Sequence, residues 1–214
     1  RAAAPPVSIT LEKNLPAASG VGGGSSDAAA TLKALCRLSG VDPRDQTVRA
    51  VAAALGADVP MCLAARPLVA RGIGHDIVTQ PSFPALPLVL VNPGVSVATP
   101  AVFARLASRN NPPLPPLPRF ADAAAVVGWL AATRNDLEEP ARALALEIGA
   151  AQAALARSGA RFVRMSGSGA TCFGIFDRTA EAAEAAGQIA RDHAGWFVEP
   201  TSTMASGEFQ DEQD

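Results

Sequence analysis

The densest concentration of chemistry in this sequence is the run Pro16-Ala17-Ala18-Ser19-Gly20-Val21-Gly22-Gly23-Gly24-Ser25-Ser26-Asp27. Four of the five positions from Gly20 to Gly24 are glycine, which would weaken an ordinary strand or helix interior. The same density suits a backbone that must wrap a ligand and turn its N–H groups inward. A helix that starts where the wrap ends points its free N–H groups and its dipole at the same anion. Ser25 and Ser26 add hydroxyls for phosphate oxygens, and Ser26 is the candidate ligand for Mg²⁺. Two familiar phosphate templates fail: no lysine stands at the helix start, and Ser25 occupies the place of the third glycine of a dinucleotide fingerprint. A flexible linker or a tight strand–helix turn is the plainer reading, and a run leading directly into a capped helix disfavours it.

Two further segments carry chemistry less distinctly. Asp58 lies in Gly56-Ala57-Asp58-Val59-Pro60, held between small residues and a proline, where an ionised carboxylate can take or orient a hydroxyl proton. Taken alone, a solvated Asp in a helix-terminal turn, or one bonded to its own backbone, is the stronger reading. Met165-Ser166-Gly167-Ser168-Gly169-Ala170-Thr171 lies between two strand-like segments. An ordinary hairpin and a second backbone clamp near phosphates stand level there. His75 and His193 have no Cys or His at metal-ligand spacing and read as surface or packing residues. Asn135-Asp136-Leu137-Glu138 could hold a cation, but a helix N-cap is the better use of Asn135 or Asp136.

The elements that must position these groups follow from periodicity. Val7-Ser8-Ile9-Thr10-Leu11 alternates like a strand with one buried face. The loop then feeds a helix capped by Ser25 or Ser26, with Asp27 in its first turn and Gly40 as its stop. A second helix is expected from about Pro43 to Leu55, with Asp42 as cap. Pro67–Arg71 and His75–Thr79 suggest a hairpin joined by Gly72-Ile73-Gly74, and Leu86–Val91 reads as a buried strand. The proline-rich stretch from Asn110 to Pro118 is a loop or linker. Helices are expected over Ala121–Ala132, Pro140–Ser158 and Ala180–His193, and strands over Arg161–Arg164, Thr171–Phe176 and Trp196–Val198. From Leu86 onward this is the split βαβ order of a ferredoxin-like half, so the class is α+β. The tail from Thr201 is polar and acidic.

Composition narrows the function. Of 214 residues, 49% are hydrophobic and 18% charged, enough for a substantial core. A net charge of −2 argues against nucleic-acid binding as the main task, and 5% aromatics with no Tyr leaves little for base stacking. Cys36, Cys62 and Cys172 sit in apolar stretches and form no CxxC pair, which reads as small buried hydrophobes in a reducing cytoplasm. No apolar run is long enough to span a bilayer. The chain opens on Arg1, one short segment before its main loop, and residues ahead of it are expected.

Taken together, the segments resemble the GHMP kinase superfamily, which includes galactokinase, homoserine kinase and mevalonate kinase. The matching pieces are Lys13-Asn14-Leu15-Pro16, Gly20–Ala29, Leu55–Pro60, Pro93–Pro100, Asn135–Glu138 and Met165–Thr171, in the family's order as far as about residue 176. Within the superfamily they look most like the branch acting on a cytidine-diphosphate-linked sugar alcohol in non-mevalonate isoprenoid precursor synthesis. The resemblance implies a two-lobed α+β fold. Residues 1–82 would be a partial, ribosomal-protein-S5-like ATP-binding domain, 83–200 a ferredoxin-like C-terminal domain, and 201–214 a tail. It implies that ATP phosphorylates the 2-hydroxyl of the methylerythritol unit, with ATP as co-substrate and Mg²⁺ as cofactor. Asp58 would be the catalytic carboxylate. Pro16, Gly20, Gly22, Gly23, Gly24, Ser25, Ser26, Ser168 and Gly169 would hold ATP, and Thr99 and Phe103 would line the substrate pocket. The family's lysine that works with the acid would lie before Arg1; Lys13 does not fill that role, and this chain taken alone is expected to be poorly active. Another GHMP kinase, of homoserine or mevalonate type, and an inactive nucleotide-binding fragment are the competing expectations.

Overall fold

A computed structural model of the chain describes residues 6–16, 19–74 and 76–206. These fall into two compact units, one of residues 6–16 and 22–81, the other of 19–21 and 82–206. His75 and the end of the acidic tail lie outside the described residues.

In the first unit, α1 (Gly23–Ser39) stops at Gly40, which takes the left-handed conformation and donates back to Cys36 and Arg37 carbonyls. Its start differs from the sequence reading. The N-cap is Gly22, also left-handed, with no side-chain cap, so Ser25 and Ser26 lie inside the first turn and Asp27 beyond it. The glycine run therefore ends in the helix instead of preceding it. α2 (Gln46–Leu55) is capped by Asp45, whose carboxylate accepts the Thr47 N–H at 2.7 Å. Asp42 instead closes a turn on the Arg44 N–H, so the helix begins three residues later than Pro43 suggests. A six-residue helix, α3 (Val59–Ala64), follows Asp58 with Pro60 in its first turn. Ala29, Ala52 and Val59 form a small core with Leu32, Cys62 and Leu63 at the junction of these helices. The hairpin is present as β1 (Leu68–Arg71) paired with β2 (Asp76–Thr79), Leu68 opposite Thr79.

The strand expected over Val7–Leu11 is absent. Residues 6–14 have no regular structure, and Val7, Ile9 and Leu11 are exposed by 45%, 63% and 62%. Alternation alone makes no strand; the backbone needs a partner for its N–H and C=O groups, and none of the described strands pairs with it.

The second unit is built on a four-stranded antiparallel sheet in the order β4-β5-β3-β6. Its strands are β3 (Pro87–Asn92), β4 (Phe162–Met165), β5 (Cys172–Ile175) and β6 (Phe197–Ser202). Side chains alternate between two faces along β5. Cys172 and the following Phe176 join Val89, Val91, Met165, Ile148, Leu155 and Ile189 in the main core, covered by α7 (Glu147–Arg157) and α8 (Thr179–Asp192). Phe173 and Ile175 face the other way, toward Leu86, Phe120, Val126 and Trp129 of a second cluster that includes α5 (Ala123–Ala131). One strand, then helices, two adjacent strands, a helix and a last strand give the α+β order expected from sequence. Two helices differ from expectation. α4 (Thr99–Ala104) spans six residues, too few to show a period. The helix read as Pro140–Ser158 is two, α6 (Glu138–Leu144) and α7, because Ala145 takes extended backbone between them.

Arg164 ties β4 to the end of α5. Its guanidinium donates to the carbonyls of Leu130 (3.1 Å) and Thr133 (2.8 Å) and to Thr133 Oγ1 (2.6 Å), and it lies over the Phe162 ring. A cation on the last carbonyls of a helix also suits its dipole. Arg164→Met keeps the stem and leaves those acceptors unpaired. The expected loss is about 2 kcal/mol, a fall in Tm of roughly 4–8 °C for a chain of this size, read by calorimetry.

Candidate phosphate-binding and catalytic site

The glycine loop is anchored at its near end within the second unit. The N–H of Thr171 donates to the Ser19 carbonyl at 3.1 Å, and Ser166 Oγ donates to the Gly20 carbonyl at 2.9 Å. Ser19 is buried, with 5% of its surface exposed. Gly20 has φ +76°, and a Cβ there would stand 2.6 Å from the Gly169 carbonyl oxygen and 2.7 Å from that of Ser166. Only a residue without a side chain lets these two backbones meet so closely. The turn between β4 and β5 is thus both a hairpin connection and a clamp, and what it grips is the loop's backbone.

Asn92 and Thr171 support the clamp from the core. Asn92 Nδ2 donates to Thr171 Oγ1 at 2.9 Å, and Asn92 Oδ1 accepts the Gly94 N–H at 2.9 Å, so both buried side chains are satisfied. Thr99 and Ser168, one expected in the alcohol pocket and the other near phosphate, share a hydroxyl–hydroxyl hydrogen bond of 2.8 Å. Phe103, one turn further along α4, is exposed by 45%.

In the first unit, the start of α1 has the open donors an anion needs. The Ser26 N–H closes the first helical bond to the Gly22 carbonyl, whereas the N–H groups of Gly23, Gly24 and Ser25 find no acceptor among the described residues. A Cβ on Gly22 or Gly24 would meet nothing within 4 Å, so the backbone there borders open space. Lys13, set aside by the sequence reading, lies against this start. Its Nζ pairs with Asp27 Oδ2 at 2.7 Å and lies 3.5 Å from where a Cβ on Gly23 would sit. Leu15 packs beside the same glycine, and Pro16 follows it in a partly buried position.

Asp58 directly precedes α3. Its carbonyl accepts the Cys62 N–H at 3.0 Å, but its carboxylate makes no capping bond and is exposed. Asp58 is thus solvated, at the start of α3 and not in a helix C-terminal turn, and it is not bonded to its own backbone; its oxygens are open to water or to a hydroxyl. Gly74, at φ +91° in the β1–β2 turn, rests its Cα directly against the Ala57 carbonyl, next door to Asp58. That support had no signal in the sequence beyond a glycine in a turn.

The cysteines behave as hydrophobes. Burial pushes the Cys172 thiol up to about 12, with Glu138 adding to the shift and Arg142 opposing it. Cys36 is also raised by burial and by Asp42 and Asp45, and half-buried Cys62 by burial and Asp58 against Lys33. No group of three or more His, Cys, Asp or Glu among the described residues could hold a metal ion. No helix among them is long and apolar enough to cross a membrane.

Residues 1–66 match the family model described as GHMP kinases N terminal domain, and residues 118–194 match GHMP kinases C terminal. The chain is 56% identical over 202 residues to the 4-diphosphocytidyl-2-C-methyl-D-erythritol kinase of Mesorhizobium japonicum, covering 94% of this chain and 68% of the relative. It is 52% identical over 204 residues to the enzyme of that name from Chelativorans sp., covering 95% and 70%. Among solved structures it is similar to a 4-(cytidine 5'-diphospho)-2C-methyl-D-erythritol kinase, with a TM-score of 0.73 at 34% identity over 91% of this chain and 70% of that one. A homoserine kinase from Cytophaga hutchinsonii shares the fold, with a TM-score of 0.63 at 17% identity over 90% and 68%.

Proposed function

The chain belongs to the GHMP kinases and, within them, to the 4-diphosphocytidyl-2-C-methyl-D-erythritol kinase family, and from that premise we propose how its residues divide the work of transferring a phosphoryl group from ATP to the 2-hydroxyl of the cytidine-linked alcohol. The open start of α1 carries the reading. Three N–H groups without an acceptor among the described residues, on a helix N-terminus open at Gly22 and Gly24 and flanked by Lys13 and Leu15 at Gly23, form a cradle for the β- and γ-phosphates. Gly20, Gly22, Gly23, Gly24, Ser25 and Ser26 line that cradle, Pro16 leads into it, and Ser168 and Gly169 belong to the turn that grips its near end. Thr99 and Phe103 face the alcohol.

Asp58 takes the proton. The 2-hydroxyl oxygen bonds to the γ-phosphorus while the bond from that phosphorus to the β–γ bridging oxygen breaks. ADP leaves with that electron pair, and the hydroxyl proton passes to the Asp58 carboxylate. An exposed carboxylate with no hydrogen-bond partner among the described residues is free to meet the incoming hydroxyl. Most of the rate then comes from positioning and from donors aimed at developing charge.

The donor set fits Mg²⁺ arriving with its nucleotide. The described residues offer no carboxylate cage, and Mg²⁺ is commonly held by phosphate oxygens, water and one or two protein oxygens. The Ser26 hydroxyl, exposed in the first turn of α1 and without a hydrogen-bond partner among the described residues, would supply one. Bound there, the ion would offset negative charge on the phosphates. We place residues 1–82 in the ATP-binding domain and the residues from 83 in the C-terminal domain, whose last strand runs on through Ser202 where the sequence alone suggests a tail from Thr201, and the enzyme in the cytoplasm.

A panel of alcohols tests the acceptor. With ATP and Mg²⁺, the full-length enzyme is expected to turn over 4-diphosphocytidyl-2-C-methyl-D-erythritol and to leave homoserine and mevalonate unphosphorylated, followed by ADP release. Turnover of homoserine or mevalonate in place of the cytidine-linked alcohol would overturn the assignment.

A further inference from the structure

We infer that Asn135 is a positioning residue for the phosphate-binding loop, acting through the turn between β4 and β5. The inference rests on the reading of that loop as the phosphate cradle. Asn135 Nδ2 donates to the Met165 carbonyl at 3.0 Å and to the Gly167 carbonyl at 2.8 Å, bridging the turn where it leaves β4. Its Oδ1 accepts the Leu137 N–H at 3.0 Å, which fixes the carboxamide plane at the start of α6. Glu138 Oε2 accepts the Met165 N–H at 3.0 Å, so the same helix start holds Met165 by both backbone groups.

The turn held in this way is what holds the loop. Ser166, between the two bridged carbonyls, donates its hydroxyl to Gly20, and Thr171 at the far end of the turn donates to Ser19. The Gly20 backbone fits against Ser166 and Gly169 with no room for a Cβ. Two residues after Gly20 comes Gly22, the N-cap of α1. A tilt of the turn therefore moves Ser19 and Gly20, the residues that lead the chain to Gly22.

Neither Asn135 nor Asp136 caps α6 as the sequence suggests, since its N-cap is Leu137 with no side-chain cap; the plain alternative is that Asn135 only closes the turn ahead of the helix. The chemistry separates the two roles, because the turn needs one acceptor whereas the bridge needs two N–H donors on one atom. Asn135→Asp keeps the size and the acceptor for Leu137 but cannot donate, and it sets an anion against two carbonyls. As a positioning residue, Asn135 replaced by either Ala or Asp raises the KM for ATP about tenfold or more, a usual scale for misplaced binding groups. Parent-like KM for ATP in Asn135→Asp would reduce Asn135 to a turn residue and overturn the inference.

Ser166→Ala tests the next link without touching Asn135, should Asn135→Asp fold poorly. It removes one hydroxyl, and the expected rise in KM for ATP is about threefold to tenfold, the value of one hydrogen bond; no rise overturns the inference. Gly24→Ala, on the cradle itself, keeps the two readings apart. If it raises the KM for ATP and the Asn135 and Ser166 variants do not, the positioning role alone falls. If none of them moves it, the cradle reading falls and takes this one with it.

Discussion

In the full-length enzyme, Asp58→Asn is expected to lower kcat by about two to four orders of magnitude, the usual contribution of a positioned base, while the dissociation constant for ATP stays within about twofold of the parent. The amide keeps the size of the carboxylate but cannot take the hydroxyl proton. The variant is clean because the Asp58 side chain makes no hydrogen bond or ion pair among the described residues. It caps no N–H of α3, it is exposed, and the α3 bonds near it run through backbone groups, Val59 N–H to Gly56 and Cys62 N–H to Asp58. Thermal stability should therefore stay within about 0.5 kcal/mol of the parent, as for most surface substitutions. Isothermal calorimetry with ATP and Mg²⁺, steady-state turnover and a melting curve measure the three quantities. Parent-like turnover removes Asp58 from the chemistry. A large loss of stability would show that the side chain has a structural task absent from the geometry described above.

The sequence exposed those parts of the site that rest on local backbone demand. A run of glycines before a helix carries its own physical signature, because few other uses of four glycines in five positions justify their conformational cost. The order of that run, the Gly-Ala-Asp-Val-Pro string and the Ser-Gly-Ser-Gly turn was enough to point to the family. The supports were hidden. Asn135 and Met165 lie thirty residues apart, and Asn92 and Thr171 seventy-nine. Bonds of that span leave no periodicity, and two of the acceptors are carbonyls that every residue carries. Asn135 could be placed at a helix start from its type, but its donors could not be assigned until the topology brought β4 beside α6. Helix starts were misread by a few residues for a related reason. Ser25, Asp42 and Asp45 are all good caps by type, and which residue takes the cap depends on where the preceding turn releases the chain.

Gly20→Ala and Gly24→Ala, four positions apart in one loop, are expected to fail for opposite reasons. At Gly20 the new Cβ enters a left-handed backbone, a cost of about 1–2 kcal/mol. It also meets two carbonyl oxygens at 2.6 and 2.7 Å, where real Cβ contacts do not occur. Both atoms are backbone of a turn fixed by Asn135, Glu138 and Thr171, so neither can step aside as a flexible side chain would. Overpacking of this kind adds about 1–3 kcal/mol. Together they predict a loss near 3 kcal/mol, roughly 6–12 °C in Tm, with weakened ATP binding as the loop is pushed off its clamp. At Gly24 the Cβ meets nothing within 4 Å and the backbone is already helical. Alanine there is expected to stabilise the nucleotide-free protein by about 0.5 kcal/mol through helix propensity. Yet it puts a methyl group on the surface where the phosphates approach, so the KM for ATP rises while the Tm does not fall. Melting curves with and without ATP separate the two glycines: Gly20 serves the fold and through it the ligand, and Gly24 serves the ligand alone. If Gly24→Ala bound ATP as the parent does, the start of α1 would not be the cradle, and its three open N–H groups would need another partner.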